Sequence, residues 1–291
     1  MTVGALPAVM LLIYKRKMTS GYDTNKLKKE IIRKSQTLGA DIVGIASVER
    51  WSEYKETAPD YFPQTIFPFT RSVIVIGTPV FLPMLESTPS IVYSELYNTS
   101  NRVLDEIAYK LAAYINRKGY RAVFFPRDGY GDISVLVDKP EAAFSHVLAG
   151  KYAGLGTIGY NHTLLTKQYG PRVRLVSVFT DAELPSDPLI DKELCVKCEL
   201  CKHCCPTGAF TTRKELVALM DKKKCADYHH QLKKELHYPC GVCIKVCPVG
   251  KDRKLYGMTK KKYLNELKVL SENKNAEDYR SWVHLRSFGS K

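Results

Sequence analysis

Nine cysteines hold the chemistry open to this sequence, and all of them fall between Cys195 and Cys247. They stand at Cys195, Cys198, Cys201, Cys204, Cys205, Cys225, Cys240, Cys243 and Cys247, and the first 194 residues contain none. Disulfides that staple a fold are spread through it. A cluster confined to 53 residues points instead to reduced thiolates that ligate metal.

The spacing narrows the metal. Cys195-x2-Cys198-x2-Cys201-x3-Cys205-Pro206 precedes an isolated Cys225 and then Cys240-x2-Cys243-x3-Cys247-Pro248. Bacterial ferredoxins hold two cubanes with such a run: the x2 steps wrap three thiolates around one cluster, and the cysteine before proline reaches the other. The run predicts one [4Fe–4S] cluster on Cys195, Cys198, Cys201 and Cys247, and a second on Cys225, Cys240, Cys243 and Cys205. Cys204 is left over and reads as an ordinary buried thiol. Zinc is the alternative for paired C-x2-C, but zinc sites rarely add a third cysteine at x2 followed by x3-Cys-Pro.

Gly154-x-Gly156-x-x-Gly159 has the letters of a dinucleotide fingerprint. That motif needs a strand before it and a helix after it. Here Ala142 to Ala153 has helical spacing and Thr157 to Leu165 opens no clear helix, so nicotinamide binding is set aside. His146 and His162 flank the turn and read first as structural histidines.

These residues sit in a chain of 291, with 45% hydrophobic and 25% charged residues, which excludes disordered, collagen-like and coiled-coil classes. The net charge is +14, and residues 191–291 hold 22 Lys and Arg against 12 Asp and Glu. Such a surplus attracts an acidic electron donor or nucleic-acid phosphates. Lys222-Lys223-Lys224, just before Cys225, reads as a solvated face. No stretch reaches the roughly 18 apolar residues of a membrane span. Val3 to Tyr14 is too short, and its basic residues follow it rather than precede it as in a secretory signal. The expectation is a cytoplasmic protein with no membrane contact, in which Met18 is the natural start and residues 1–17 an extension.

The elements that must position the cysteines are legible in outline. Lys26 to Leu38 has an amphipathic helical pattern, with Asp23 or Thr24 as cap and Gly39 as stop. Asp41 to Ala46, Ser72 to Gly77, Arg121 to Phe125 and Arg172 to Thr180 read as strands. Ser100 to Arg117 and Ala142 to Ala153 read as helices, and residues 57–71 as a loop that packs. The predicted fold class is α+β: an α/β sandwich over 18–188, a two-cluster ferredoxin-like module over 189–255, and a C-terminal helix and tail over 256–291.

Ala153-Gly-Leu-Gly-Thr-Ile-Gly-Tyr-Asn-His-Thr-Leu-Leu165, then Tyr169 to Asp181, then the paired-cluster module with Cys225 isolated, resembles the epoxyqueuosine reductases and, more distantly, the corrinoid reductive dehalogenases. The resemblance runs from about residue 24 to residue 255. It implies a nitroreductase-like cobalamin-binding domain ahead of a bacterial-type ferredoxin module, with low-potential electrons passing through the clusters to cobalt. It implies that His146, Gly154, Leu155, Gly156, Thr157, Ile158, Gly159 and Asn161 face the corrinoid, small residues letting backbone approach it. The family's acidic proton donor maps nearest to Asp138, with Glu141 as substitute. Tyr160 stands where many of these reductases have Lys and is a further candidate donor. No D-x-H-x-x-G sequence exists, so no protein histidine is expected beneath cobalt.

The resemblance implies an oxidoreductase with two [4Fe–4S] clusters and cobalamin, fed by an external ferredoxin- or flavodoxin-type donor. A cobalamin-reducing protein with no organic substrate, and a flavin (FMN) reductase, are the alternatives. Full-length epoxyqueuosine reductases add a helical-repeat domain that helps hold tRNA. The 44 residues after Cys247 are too short for one, which leaves tRNA a possible but doubtful partner.

Overall fold

The computed structural model describes residues 23–211, 219–256, 260–272 and 280–288. The expected 1–17 extension and the start at Met18 lie outside the described residues. A strand such as Ser72-Val-Ile-Val-Ile-Gly77, apolar at every position, needs cover on both faces. It forms β2 (Ser72–Pro79), which lies inside an antiparallel sheet with β1 (Ile42–Ser47), β3 (Ala122–Phe125) and β4 (Val173–Thr180), in the order β1-β2-β4-β3.

Alternation sorts the side chains into two layers. Ile74 and Ile76 of β2, with Val176 and Val178 of β4, meet Leu27 and Ile31 of α1 (Thr24–Thr37) and Leu104, Ile107, Leu111 and Ile115 of α2 (Ile91–Arg117). Val73, Val75, Leu175 and Phe179 face the other way, against Trp51, Phe144 and Ala149. Each fully buried aliphatic contributes about 1.5–3 kcal/mol. Asp23 caps α1 by accepting from the Asn25 and Lys26 amides. Helix α2 starts nine residues before the expected Ser100, capped by Ser90, and the added turns bury Tyr93, Ser94 and Tyr97.

The expected helix from Ala142 is shorter, α4 (His146–Tyr152), because the Ser145 side chain caps it at the Leu148 amide. Ahead of it lies α3 (Ile133–Asp138), a stretch to which the sequence reading assigned no element. The glycine turn becomes a hairpin, Thr157–Ile158 paired with Leu164–Leu165.

In the cysteine-bearing segment, α5 (Lys222–Lys234) lies along α3. Lys223 donates to the Val137 carbonyl at 3.4 Å, and Lys233 pairs with Asp132. Arg172, fully buried at the foot of β4, bonds Asp252 at 2.6 and 2.7 Å and the Cys247 and Val249 carbonyls at 3.0 and 2.6 Å. A buried guanidinium with all its donors engaged fixes the segment against the sheet. Behind it, Lys245 and Glu266 pair at 3.0 Å, tying α6 (Lys260–Ser271), and Arg286 of α7 (Arg280–Ser287) reaches the same carboxylate at 2.6 Å. Among the described residues no helix is long and apolar enough to cross a membrane.

Candidate functional site

Two turns of the same design carry most of the thiols. Cys198-x2-Cys201-x3-Cys205-Pro206 and Cys240-x2-Cys243-x3-Cys247-Pro248 each place a left-handed residue directly after the first cysteine: Glu199 at φ 57° and Gly241 at φ 67°. Each such residue opens a one-turn helix, Leu200–His203 or Val242–Lys245, that carries the second cysteine. Alternating hand in this way turns successive backbone N–H groups toward one concave side, the geometry that cradles anions.

The thiols fall into two groups. Cys195, Cys198, Cys201 and Cys247 line a small cavity with Tyr160, Asn161, Leu165, Val196, Glu199, Pro248 and Val249. Burial, and then the neighbouring Cys247, Cys198 and Cys195, pushes the Cys201 thiol up to about 12. Cys205, Cys225, Cys240 and Cys243 form the second group. Burial raises Cys240 to about 12 and Cys225 to about 11, with Cys205 adding to both. All nine cysteines are free thiols. Buried, crowded thiols of raised pKa fit a cationic metal centre, which replaces their protons. Among the described residues no three His, Cys, Asp or Glu side chains close on a single ion; the thiols are spread around a space, as a polynuclear cluster requires and a zinc ion does not. Cys204 packs with Leu200, Val246 and Tyr263 and lines neither space.

The second group opens on a cavity of about 770 Å³, toward the upper end for cofactor sites. Its wall runs from Cys205, Cys225, Cys240 and Cys243 across Tyr97, Tyr130, Asp128, His146, Arg174 and Tyr238. Arg174 bonds Asp128 and Asn101, each at 2.9 Å, and lies over the Tyr97 ring. Tyr97 donates to Asp128 at 3.1 Å, and the Tyr130 and Tyr238 hydroxyls meet at 2.8 Å. Burial holds all three phenols protonated, well above the usual tyrosine range. Arg127, on the same wall, pairs with Asp105 at 3.0 Å, and its Nε stands 3.9 Å from Asp128.

No protein-family model matches the chain. A curated tetrachloroethene reductive dehalogenase of Desulfitobacterium hafniense is 26% identical over 231 residues, 73% of this chain and 37% of the relative. An epoxyqueuosine reductase of Bacillus cereus is 28% identical over 269 residues, 79% of this chain and 66% of the relative. The chain is therefore similar in sequence to epoxyqueuosine reductases and to reductive dehalogenases. It thus spans little more than a third of the dehalogenase and about two thirds of the epoxyqueuosine reductase. Two solved structures share the fold. One is an epoxyqueuosine reductase with an epoxyqueuosine-modified tRNA stem loop (TM-score 0.54, 19% identity, 79% of this chain and 66% of that one). The other is a reductive dehalogenase described as performing B12-dependent dehalogenation (TM-score 0.60, 23% identity, 82% and 35%).

The residues that the family resemblance singled out are scattered in this structure. Asp138 ends α3 exposed and outside the cavity wall, whereas Glu141 lines the cavity and accepts from the Tyr61 hydroxyl at 2.9 Å. Tyr160 is buried beside the small cavity, its hydroxyl donated to the Thr211 carbonyl at 3.0 Å. Of the glycine turn only Ile158 and Asn161 line the large cavity. A Cβ on Gly154 would meet the Pro188 carbonyl at 2.1 Å, and one on Gly156 the Leu165 carbonyl at 2.1 Å. The close approach these glycines permit is therefore to the chain's own backbone. Leu155 packs in the core below the sheet, a Cβ on Gly159 would strike the Leu165 side chain, and Thr157 accepts from the Leu194 amide at 3.0 Å just ahead of Cys195.

His146 lines the large cavity with both ring nitrogens engaged. Nε2 donates to the Pro126 carbonyl at 3.0 Å, so Nδ1 accepts from Ser177 at 2.9 Å. Burial lowers its pKa to about 4, leaving it neutral. Sequence reasoning missed Tyr97, Asp128, Tyr130, Arg174 and Tyr238. Only their side chains' convergence from α2, β4 and distant loops marks them.

Proposed function

We propose that this chain is an iron–sulfur, corrinoid-dependent oxidoreductase that reductively cleaves a C–O or C–halogen bond. A nitroreductase-like domain (18–188) would form the main cavity wall and a two-cluster ferredoxin-like module (189–255) the rest. The observation that carries this is the shared wall: the Cys205, Cys225, Cys240 and Cys243 thiols line the same cavity as the tyrosine–arginine network. A [4Fe–4S] cluster there would stand at the cavity edge, and the Cys195, Cys198, Cys201 and Cys247 cluster one step behind it. A corrinoid, when bound, supplies a metal centre able to deliver two electrons at low potential.

The chain's own part is binding and proton supply. The Asn161 amide, donated to the Cys243 carbonyl at 3.3 Å, would hold the cavity edge. Replacing C–halogen by C–H takes two electrons and one proton and releases halide; cleaving a C–O bond takes two electrons and two protons, the second carrying the oxygen off as hydroxyl or water. The protonated phenols of Tyr97, Tyr130 and Tyr238 hold such protons at neutral pH, with Asp128 and Arg174 fixing Tyr97. Asp138, exposed, is less well placed.

The test is a cofactor inventory of protein prepared without air. It should show about eight iron and eight sulfide per chain and a visible spectrum that shifts on addition of cobalamin. Tyr97→Phe should then lower turnover of epoxyqueuosine or a haloarene by about 10²–10⁴-fold, while Asp138→Ala changes it little. A flavin spectrum instead, or cobalt reduction with no substrate turnover, would replace this reading.

A further inference from the structure

The large cavity is reached by one group of thiols only, which leaves the other to be supplied from outside. The small cavity of Cys195, Cys198, Cys201 and Cys247 meets the large one at Asn161 and otherwise has its own walls. Cys195 and Cys198 are half-buried, and between them Val196 stands 65% exposed on the protein surface.

Three exposed lysines lie close in the chain to residues of this small cavity's wall. Lys197 follows Val196 directly, and its left-handed backbone, φ 50°, turns the chain at the rim. Lys167 and Lys251 each come two residues after a wall residue, Leu165 and Val249, and the exposed Glu193 two residues before Cys195. The Lys251 amide donates to the Lys167 carbonyl at 3.2 Å, which sets these two exposed residues side by side. The acid on the wall, Glu199, is drawn back toward Lys202 and His203 at 3.6 and 3.9 Å.

We propose that this face, Val196 with Lys167, Lys197 and Lys251, is the docking surface for a small acidic electron-transfer protein. The proposal rests on the cluster reading above. Each encounter moves one electron, oxidising the carrier and reducing the cluster by one, with no proton or bond change. Short-lived redox complexes are small and steered by opposite charge around a minimal contact. An exposed apolar residue beside half-buried thiols, with exposed lysines near the same wall in the chain, has that form. Nucleic acid is the other class of ligand such charge attracts, and the test separates the two.

The test follows cluster bleaching by stopped flow in the anaerobic holoprotein, with reduced flavodoxin or ferredoxin as donor. The triple variant Lys167→Glu, Lys197→Glu, Lys251→Glu should lower the second-order rate constant by about 10–100-fold at low salt, the gap closing as salt is raised. Photoreduction by a small neutral deazaflavin should be unchanged. A control of equal charge change on α1, Lys26→Glu, Lys29→Glu, Arg33→Glu, should leave the donor rate near wild type. An unchanged donor rate in the triple variant, or an equal loss in the control, would overturn the proposal. So would a variant that loses tRNA binding but keeps its donor rate. Should the triple variant lose iron, Lys251→Glu alone must still slow the donor by several-fold. Absence of iron and sulfide from the wild-type protein would instead remove the cluster reading itself.

Discussion

The two C-x2-C-x3-C-P turns differ less in backbone than in what lies beside them. The first, from Cys198 to Pro206, borders solvent and fills its left-handed position with Glu199, whose side chain is 30% exposed. The second, from Cys240 to Pro248, is pressed against α2, where a Cβ on Gly241 would meet Thr88 Oγ1 at 2.8 Å and the Tyr93 ring at 2.9 Å. One turn tolerates strain because space is free; the other has no space and must use glycine. The same device thus serves an outward and an inward site, and surroundings rather than ligand spacing assign the roles.

Cysteine removal breaks that comparison most severely. Cys225→Ser should halve the iron, from about eight to about four per chain, and abolish both turnover and the cobalamin-induced spectral change. Cys198→Ser should lose as much iron, yet keep the cobalamin response. Identical outcomes in iron analysis and cobalamin titration would show the two groups to be equivalent.

Next comes the anchor between the sites. Arg172→Met leaves Asp252 buried without its cation and should cost about 3–5 kcal/mol. At about 2–4 °C per kcal/mol, calorimetry should find Tm lower by about 10 °C. The double variant with Asp252→Leu should recover part of it, since no charge is then stranded.

Acid should weaken the cavity side. His146 and His229, both lowered to about 4 by burial, take up protons more readily in the unfolded chain, whose histidines titrate near about 6.5. Their contribution is intact above that value and is lost as pH falls toward about 4, by up to about 3 kcal/mol each. His146→Gln, which can keep both hydrogen bonds, should remove about half of this slope in anaerobic urea unfolding compared at about pH 7 and about pH 5. An unchanged slope would mean that His146 is not held neutral.

The smallest effects are at the left-handed residues. Gly241→Ala should destabilise by about 1–3 kcal/mol, whereas Glu199→Gly should stabilise by up to about 1 kcal/mol. Equal signs in denaturant unfolding would erase the distinction between the turns.

What could be read in advance follows from how local each signal was. Strands β1, β2 and β4 and helix α1 announce themselves because period and capping are written in neighbouring residues, as with Asp23 ahead of Leu27 and Ile31. Short x2 and x3 loops leave the thiols little geometric freedom, and in the structure four of them line each of two cavities. The first turns of α2 were hidden because they bury Tyr93, Ser94 and Tyr97 toward the cavity instead of aliphatics toward the sheet. Helix α3 is six residues long with Val135 half exposed, too short for a periodic pattern. For the glycine turn the sequence shows that backbone must come close to something, and the structure adds that Gly154 lies against the Pro188 carbonyl and Gly156 against that of Leu165. The tyrosine–arginine wall is a tertiary property, drawn from residues 97, 128, 130, 174 and 238, and no local pattern encodes it.

Asn161 belongs to both chambers, and Tyr160, Phe210, Cys201 and Cys243 crowd into one knot of contacts beside it. The partition between the two sulfur nests is therefore about one side chain thick. With metal in both, charge would tunnel through so thin a barrier faster than partners diffuse or bonds rearrange. Throughput would then be set at the two ends of the wire, never in its middle.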